Sequence, residues 1–324
     1  MSRIPLIATL VLASAVAGAA SAQTTPYPAQ PVKLVVGFAA GGPSDLVARA
    51  FADQAAKSLS QTVIVENRPG ANAVLATEAV AAAKPDGLTL LAAATNHTMI
   101  PALYGSRIKF DAAKSFVPVC TLAASATVLV VGPSMAVKTV AEFLERVKAK
   151  PGSATYATPG QGSSPHLATE QFSKLAGVSM VHVPYKGAAP AVTDLIGGQV
   201  DLSFATVGSV LPHIRSGKLT ALAVASRQRS ALLPQVPTFD EAGIKGYAID
   251  TWYGLLAPAG TPAEVLRVLT REANEFARSA AVRERLAGAG LEPQNLCGEP
   301  FAAQIAREIE ANARLARDLN LKAE

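Results

Sequence analysis

The chain has 324 residues, half of them hydrophobic, and a formal net charge of +5 at pH 7. This length exceeds what a single hydrophobic core usually serves, so we predict two lobes. The small positive charge suits an anionic small molecule, whereas nucleic-acid binding would require clustered basic residues and stacking aromatics, and only 5% of the chain is aromatic.

The first residues have the features of a secretory signal peptide. Arg3 supplies a positive charge, a mostly apolar run follows, and Ala20-Ser21-Ala22 provides the small residues that signal peptidase accepts. The apolar run is shorter than the ~20 residues of a transmembrane helix, so an uncleaved membrane anchor is the less favoured alternative. We predict that residues 1–22 are removed after Ala22 and that the mature protein is exported.

The mature chain begins with alternating strands and helices. Val32 to Phe38 is an almost continuous apolar run, typical of a buried parallel strand, and a helix is predicted from about Ser44 to Leu59. The segment "TVIVEN" and the run Leu88 to Ala94 predict two further strands, with an alanine-rich helix ending at Ala83 between them. This alternation predicts a parallel sheet flanked by helices.

The pattern changes near Phe116, where a long extended stretch is suited to leaving one lobe and entering another. Strand-helix alternation then restarts, beginning with a helix whose start is marked by the capping box Thr139 to Glu142. We predict a first lobe of residues 23–118 and 226–324 and a second lobe of residues 119–225. Each lobe is an α/β unit with a mainly parallel sheet, and a ligand can be enclosed in the cleft between them.

The two cysteines, Cys120 and Cys297, are far apart in the sequence. Their spacing does not show whether they meet, and a disulfide is compatible with an exported protein. We interpret them as two unpaired, buried thiols. The four histidines are dispersed and no metal-ligand spacing is present, so neither a metal nor a cofactor is predicted.

The loop "FAAGGPSDLVAR" joins the first strand to the first helix through Gly41 and Gly42. Glycines let a ligand approach the backbone closely, and the free N–H groups and positive dipole end of a helix start attract an anion. The loop lacks the Lys-Ser/Thr of a Walker loop and the third glycine of a dinucleotide-binding loop. By itself it is also explained as a tight turn with Ser44 or Asp45 as the helix cap.

A second loop, "ATPGQGSSPHLATE", repeats this arrangement in the other lobe. Gly160 and Gly162 precede a helix for which we predict Ser164 as N-cap and Pro165 as the first helical residue. If the lobes face each other, two helix starts converge on one cleft. Hydrogen bonds to a charged group are worth ~1.5–3 kcal/mol each and a micromolar complex needs ~8 kcal/mol net, so an anion can be held without arginine.

Two further loops are candidates for lining the cleft, with a solvated turn as the alternative for each. "TNHTMIP" follows the third strand, and "VPYKGAAPA" brings the hydroxyl of Tyr185 and the charge of Lys186. The candidate ligand-binding residues are Ala40, Gly41, Gly42, Pro43, Ser44, Asp45, Thr95, Asn96, Thr158, Gly160, Gly162, Ser163, Ser164, His166, Tyr185 and Thr206.

The motifs "GFAAGGPSD", "VIVENRPGA", "YATPGQGSSPHL", "HVPYKGAAPAVTDLIGGQVD" and "WYGLLAPAGTP" occur in an order that resembles the solute receptors of tripartite tricarboxylate transporters, the Bordetella uptake gene (Bug) receptors. The resemblance implies a two-lobed, type II periplasmic binding protein that closes on a small carboxylated solute and delivers it to the membrane components of the transporter. It also implies a carboxylate held by the loops Ala40 to Asp45 and Thr158 to Ser164, with His166 and Tyr185 nearby. We expect the receptor to be a monomer.

The chain departs from the family pattern at two places. Ala39 stands where the family commonly has proline, so the first loop has less backbone restriction. After "ENRPGA" the family often continues with glycines, whereas this chain has Asn72, Ala73 and Val74. Side chains at these positions leave less room for close approach to the backbone and change what the cleft admits.

An exported serine hydrolase and a sensory receptor are the two alternative functions. An exported serine hydrolase would need Ser163 or Ser164 to act with His166 and an acid such as Asp201, but no G-x-S-x-G elbow is present and His166 is too close in sequence to accept their protons. We therefore predict no catalytic residues. A receptor that signals through a membrane sensor, rather than feeding a transporter, is equally compatible with the sequence.

Overall fold

The computed structural model describes residues 27–226, 228–247, 249–318 and 321, so the predicted signal peptide lies outside the described residues. The strands are β1 (Val32–Val36), β2 (Val63–Asn67), β3 (Thr89–Ala94), β4 (Phe116–Val131), β5 (Thr155–Thr158), β6 (Val181–Pro184), β7 (Leu202–Thr206), β8 (Thr220–Val224), β9 (Asp250–Pro258) and β10 (Glu292–Pro293). The α-helices are α1 (Pro43–Leu59), α2 (Val74–Ala81), α3 (Ile100–Tyr104), α4 (Val140–Ala149), α5 (Ser164–Ala176), α6 (Ala188–Ile196), α7 (Val207–Arg215), α8 (Ala263–Arg278), α9 (Ala280–Gly288) and α10 (Glu299–Asp318).

The first half-sheet consists of β2, β1, β3, β9, the N-terminal part of β4, and β10, in an order that places β1 between β2 and β3. Those three strands are parallel, whereas β9 runs antiparallel to β3 and β4. Helices cover both faces: Leu34 packs in a core with α1 and α8, and the next residue, Val35, packs in a second core with α2 and α10. This burial on both faces is why β1 is an unbroken apolar run.

The second half-sheet consists of the C-terminal part of β4 with β8, β7, β5 and β6. β4 runs antiparallel to both β7 and β8, whereas β5 pairs in parallel with β6 and β7. Its largest core contains an aromatic cluster of Phe172, Phe204, Phe239 and Tyr247, with ring centroids 4.8 to 6.1 Å apart. The predicted α/β fold is therefore confirmed, although each half-sheet is mixed because antiparallel strands accompany the parallel ones.

The chain passes between the half-sheets at two adjacent points. One lies within the 16-residue strand β4, which pairs with β9 up to Ala126 and with β7 from Thr127 onward. The other lies at the start of β9, where Ile249 N donates to Ala225 O at 2.6 Å and Asp250 pairs with Ala126. The two crossings therefore run side by side.

Cys120 and Cys297 form a disulfide with their Cα atoms 4.0 Å apart, so the interpretation of two unpaired thiols is wrong. The C-terminal segment that contains β10 returns along β4: Pro293 is paired with Ala123, and Thr121 N donates to Leu296 O at 2.9 Å. This antiparallel pairing brings together two cysteines separated by 177 positions. No local sequence pattern predicts a pairing over that distance.

Candidate functional site

A small cavity, here called the first cavity, lies where the two half-sheets meet. Its volume is about 40 Å³, which is enough for a group of a few atoms. Among the described residues, none of the side chains that line it is charged. The lining residues are Phe38, Gly42, Pro43, Ser44, Ala94, Asn96, Pro159, Ser163, Ser164, Pro165, Ala188, Thr206, Thr251 and Tyr253.

The first turns of α1 and α5 both open onto the first cavity. Ser44 and Pro43 come from α1, and Ser164 and Pro165 come from α5. Gly42 is the N-cap of α1 and has no side-chain oxygen to accept from the first-turn N–H groups. Because two positive dipole ends face a cavity without charged side chains, the cavity favours an anion.

Contacts across the meeting surface hold the two loops together. Thr251 Oγ1, from the first half-sheet, donates to Ser164 Oγ at 2.8 Å. Ala39 N donates to Lys186 O at 3.1 Å. A Cβ added at Gly42 would lie 3.7 Å from Ala188 Cβ, so the glycine loop and the start of α6 are close neighbours.

Asp45 holds the first loop in shape and does not line the first cavity. Its Oδ2 accepts from Gly41 N at 3.0 Å and Arg49 Nε at 2.9 Å, and its Oδ1 accepts from Asn67 Nδ2 at 3.0 Å. Burial alone would raise the pKa of Asp45, but these hydrogen bonds outweigh it and lower the pKa. The carboxylate is therefore ionised, and its charge is balanced by Arg49.

Two histidines, His166 and His182, hold the second loop in its conformation. His166 Nδ1 accepts from Gly162 N at 2.9 Å, so that nitrogen carries no proton. The His166 ring stacks on His182 with centroids 4.1 Å apart, and His182 Nε2 lies 2.7 Å from the hydroxyl of Thr158. Thr158 in turn accepts from Gly160 N at 3.3 Å. His166 and Thr158 therefore position the loop and do not face the first cavity.

Ser163, and not the predicted Ser164, is the N-cap of α5. Its Oγ accepts from His166 N at 3.4 Å, and its backbone is extended, with φ of −65° and ψ of 158°. The two serines are adjacent, and either hydroxyl can cap a helix, so the local sequence does not distinguish Ser163 as the N-cap from Ser164 as the first helical residue. The one-residue shift leaves the Ser164 hydroxyl to accept from Thr251 Oγ1 of the first half-sheet.

Of the predicted site residues, seven line the first cavity: Gly42, Pro43, Ser44, Asn96, Ser163, Ser164 and Thr206. The other nine lie outside its lining: Ala40, Gly41, Asp45, Thr95, Thr158, Gly160, Gly162, His166 and Tyr185. Among these, the Thr95 hydroxyl accepts from Trp252 N at 2.8 Å. The Tyr185 hydroxyl donates to Asp194 at 2.7 Å.

Seven lining residues are absent from the sequence-based set: Phe38, Ala94, Pro159, Pro165, Ala188, Thr251 and Tyr253. Thr251 and Tyr253 are the most informative, because they alternate along β9 and both reach the first cavity. β9 is antiparallel to β3, so its first residues lie at the edge where β3 ends. Burial raises the pKa of Tyr253, so its hydroxyl stays protonated as a donor. The alternation is visible in the sequence, but the strand direction is not.

The residues of the hypothetical hydrolase triad do not lie together, because Asp201 is remote from Ser163, Ser164 and His166. The Asp201 carboxylate accepts from Ser134 Oγ at 2.9 Å and from Thr155 N at 2.9 Å, just before β7. The cavity lies beyond the opposite end of β7, at Thr206. Within the described residues, no group of three or more His, Cys, Asp or Glu side chains is placed to hold a metal ion.

Because His97 and His166 are buried, we expect the free energy of unfolding to decrease as the pH falls. Burial lowers the pKa of His166 to about 3, with a further contribution from the neighbouring His182, and burial lowers the pKa of His97 to about 4. An unfolded chain binds protons at these histidines below about pH 6.5 while the folded protein does not, so the free energy of unfolding decreases as pH falls from 6.5.

For His97 and His166, both at most 3% exposed, the expected decrease is about 1 kcal/mol per pH unit each, down to about pH 4. Urea unfolding at pH 7, 6 and 5 measures this decrease. These pH values lie above the range in which carboxylates usually titrate, so the histidines dominate the change. A constant free energy of unfolding over this range would show that the histidines are protonated in the folded protein.

Comparisons with known proteins place the chain in a family. The sequence profile of the tripartite tricarboxylate transporter family receptor matches residues 47–321. The protein BugT of Bordetella pertussis is 36% identical over 324 residues, covering 99% of both chains. The solved periplasmic binding protein BugD is 33% identical with a TM-score of 0.88, over 92% of this chain and all of that one. A protein of R. palustris solved with adipate is 30% identical with a TM-score of 0.88, over 91% and 99% of the two chains.

These matches confirm the resemblance found in the sequence and the prediction of a binding protein and not an enzyme. In the part of the chain that the structure describes, no helix combines the length and apolarity needed to cross a bilayer. The chain belongs to the tripartite tricarboxylate transporter receptor family of periplasmic solute-binding proteins.

Proposed function

We propose that this chain binds one molecule of a small organic acid between its two half-sheets, with a carboxylate in the first cavity. The observation that carries the proposal is the convergence of two helix starts on a cavity whose lining has no charged side chain. The N–H groups of α1 and α5, the serine hydroxyls and Tyr253 supply the donors. The R. palustris relative solved with adipate supports a carboxylate as the ligand class.

The two half-sheets act as lobes that open and close around the ligand. The two adjacent crossings favour a hinge at residues 126–127 and 249–250. The sequence analysis predicts the lobe boundaries at 118/119 and 225/226 instead. Phe239 and Tyr247 support this shift, because they follow residue 226 yet pack in the core of the second half-sheet. The receptor is proposed to act as a monomer.

Export after Ala22 and delivery to the membrane components of a tripartite transporter complete the proposed role. Family membership supports delivery over the alternative of a sensor that regulates a signalling protein. Adjacent genes for a large and a small multispanning membrane protein would support the transporter role. Mass determination of the exported protein tests the cleavage site.

Thermal unfolding of the purified mature protein with a panel of mono- and dicarboxylates tests the ligand class. A bound acid stabilises only the folded protein, so an excess of one hundred times the dissociation constant is expected to add about 2.7 kcal/mol to the free energy of unfolding. Sugars and amines of similar size serve as controls. Stabilisation by these controls and not by any acid would contradict the proposal.

A further inference from the structure

Strand β9 carries Thr251 and Tyr253 to the first cavity, and the residue between them, Trp252, packs on the other face of the sheet. Tyr253 belongs to the core that contains α1 and α8, whereas Trp252 belongs to the core that contains α2 and α10. Trp252 is 3% exposed, and its ring meets that of Phe301 in α10 edge to face, with centroids 5.0 Å apart. The position of Trp252 therefore fixes the backbone between two residues that line the first cavity.

Glu308 of α10 is the hydrogen-bond acceptor for the Trp252 indole. Trp252 Nε1 donates to Glu308 Oε2 at 2.9 Å, and Oε1 lies 3.2 Å from the same nitrogen. Gln304, one turn earlier in α10, donates from Nε2 to Glu308 Oε1 at 2.8 Å. Within the described residues, no lysine, arginine or histidine forms an ion pair with Glu308. The carboxylate therefore serves to hold the indole ring in place.

Helix α10 also contacts the turn Thr95–Thr98, a short 3-10 helix that follows β3 and carries Asn96 into the lining of the first cavity. Asn312, one turn after Glu308, donates from Nδ2 to Thr98 Oγ1 at 2.8 Å. Glu308 Oε2 lies 3.3 Å from the same hydroxyl. The Thr98 hydroxyl is buried and donates within the turn to the carbonyl of its first residue at 2.8 Å. The helix thus holds the turn as well as the strand.

The strand and the turn are also joined to each other, because Trp252 N donates to Thr95 Oγ1 at 2.8 Å. Together they form one wall of the first cavity, which has a volume of only about 40 Å³. The groups of a binding site have to be held within about 0.5 Å of the productive geometry, usually by residues outside the site. Glu308 is absent from the lining of the first cavity, so it can restrain this wall only from behind.

Glu308 is only partly buried, so its replacement spares the hydrophobic core. It lines a cavity of about 580 Å³ on the α10 face of the sheet, here called the rear cavity, together with Trp252 and Gln304. If the side chain is shortened, water from the rear cavity can replace the carboxylate as the partner of the indole N–H. A variant at position 308 therefore tests the position of the indole ring.

We infer that Glu308 and Asn312 are positioning residues for the binding of the acid. They hold, through Trp252 and Thr98, the strand and the turn that form one wall of the first cavity. The inference rests on the proposed function. When Glu308 is removed, the Trp252 ring moves, and the backbone on both sides of the ring moves with it.

Calorimetric titration of the purified mature protein with adipate and the other acids of the panel tests this inference. Glu308→Ala is expected to weaken the binding of every acid that the natural protein binds by about tenfold or more. Glu308→Gln keeps an acceptor of the same shape for the indole N–H, so its affinity is expected to stay within about threefold of the natural one. Glu310→Ala is the matched control, because Glu310 is an exposed residue of the same helix whose carboxylate lies 4.0 Å from the Arg314 guanidinium. This control is expected to keep the natural affinity.

The fluorescence of Trp252 gives a second readout that a purely structural role of Glu308 would not affect. Trp252 is the single tryptophan of the chain, so the emission reports on this contact alone. A saturating acid is expected to change the emission of the natural protein and of Glu310→Ala, because the residues on both sides of Trp252 line the ligand cavity. The emission maximum of Glu308→Ala is expected at longer wavelength before any acid is added, because water then meets the indole.

Natural acid affinity in Glu308→Ala, or an equal loss of affinity in Glu310→Ala, would overturn the inference while the proposed function stands. If urea unfolding shows that Glu308→Ala does not fold, Asn312→Ala tests the same wall through Thr98. This variant is expected to bind the acid about threefold more weakly or worse, and natural affinity in it would overturn the inference. If the natural protein binds no acid of the panel, the proposed function and the inference are both wrong.

Discussion

Replacing Gly162 with valine is expected to abolish ligand binding while leaving the protein folded. A Cβ at Gly162 would lie 1.9 Å from Leu103 Cδ1 and 2.9 Å from Asn72 Nδ2. Gly162 belongs to the loop before α5, whereas Leu103 lies in α3 and Asn72 lies just before α2, in segments that follow strands β3 and β2 of the first half-sheet. The collision therefore arises only where the halves meet. Opening the lobes relieves it, so the variant loses the closed, ligand-binding conformation and keeps both cores.

The Gly162→Val substitution also destabilises the backbone conformation at residue 162, so the control variant must carry the same destabilisation. Gly162 has φ of +74°, so a side chain there costs about 1–2 kcal/mol wherever it points. Gly177→Val carries the same cost at the other end of α5, where φ is +63° and no atom lies within 4 Å of an added Cβ. Both variants should lose similar stability in urea, and only Gly162→Val should lose binding by calorimetry. If the Gly162→Val variant binds the ligand with the affinity of the natural protein, the lobes do not close at Gly162.

Removing the disulfide is expected to lower the free energy of unfolding by about 3–5 kcal/mol. Cys120 and Cys297 close a loop of 177 positions, and the chain-entropy account predicts a large effect for a loop of this length. Neither cysteine lines the first cavity, so ligand affinity should change little. Urea unfolding of the double variant Cys120→Ala/Cys297→Ala measures the loss.

The natural protein unfolded under reducing conditions is the control for this variant. It keeps both cysteine side chains and loses only the covalent bond, so it separates the bond from the packing of the fully buried Cys120. The reduced protein and the double variant should lose similar stability. Unchanged stability on reduction would show that the bond makes no contribution.

The features that the sequence predicted well are local. A glycine pair after an apolar run, followed by proline and serine, predicts a strand, a turn and a helix start because each signal acts within a few residues. The convergence of the two loops was predicted only on the condition that the lobes face each other. In the structure, Gly42 and Ser164 line one cavity.

The features that the sequence did not predict depend on contacts between strands that are far apart in the sequence. The direction of β9, which places Thr251 and Tyr253 at the cavity, is set by its partners β3 and β4. The disulfide follows from the return of β10 along β4. The resemblance to the receptor family implies His166 near the ligand, whereas in the structure its Nδ1 accepts from Gly162 N. Side-chain direction within a loop is decided by tertiary contacts that the local sequence does not contain.

The most direct test of the carboxylate site is a crystal structure of the protein with an acid from the stabilising panel. We expect one carboxylate in the first cavity, within hydrogen-bond distance of backbone N–H groups at the start of α1 and of α5. An acid bound elsewhere, or held by a lysine or arginine side chain with the first cavity left to water, would contradict it.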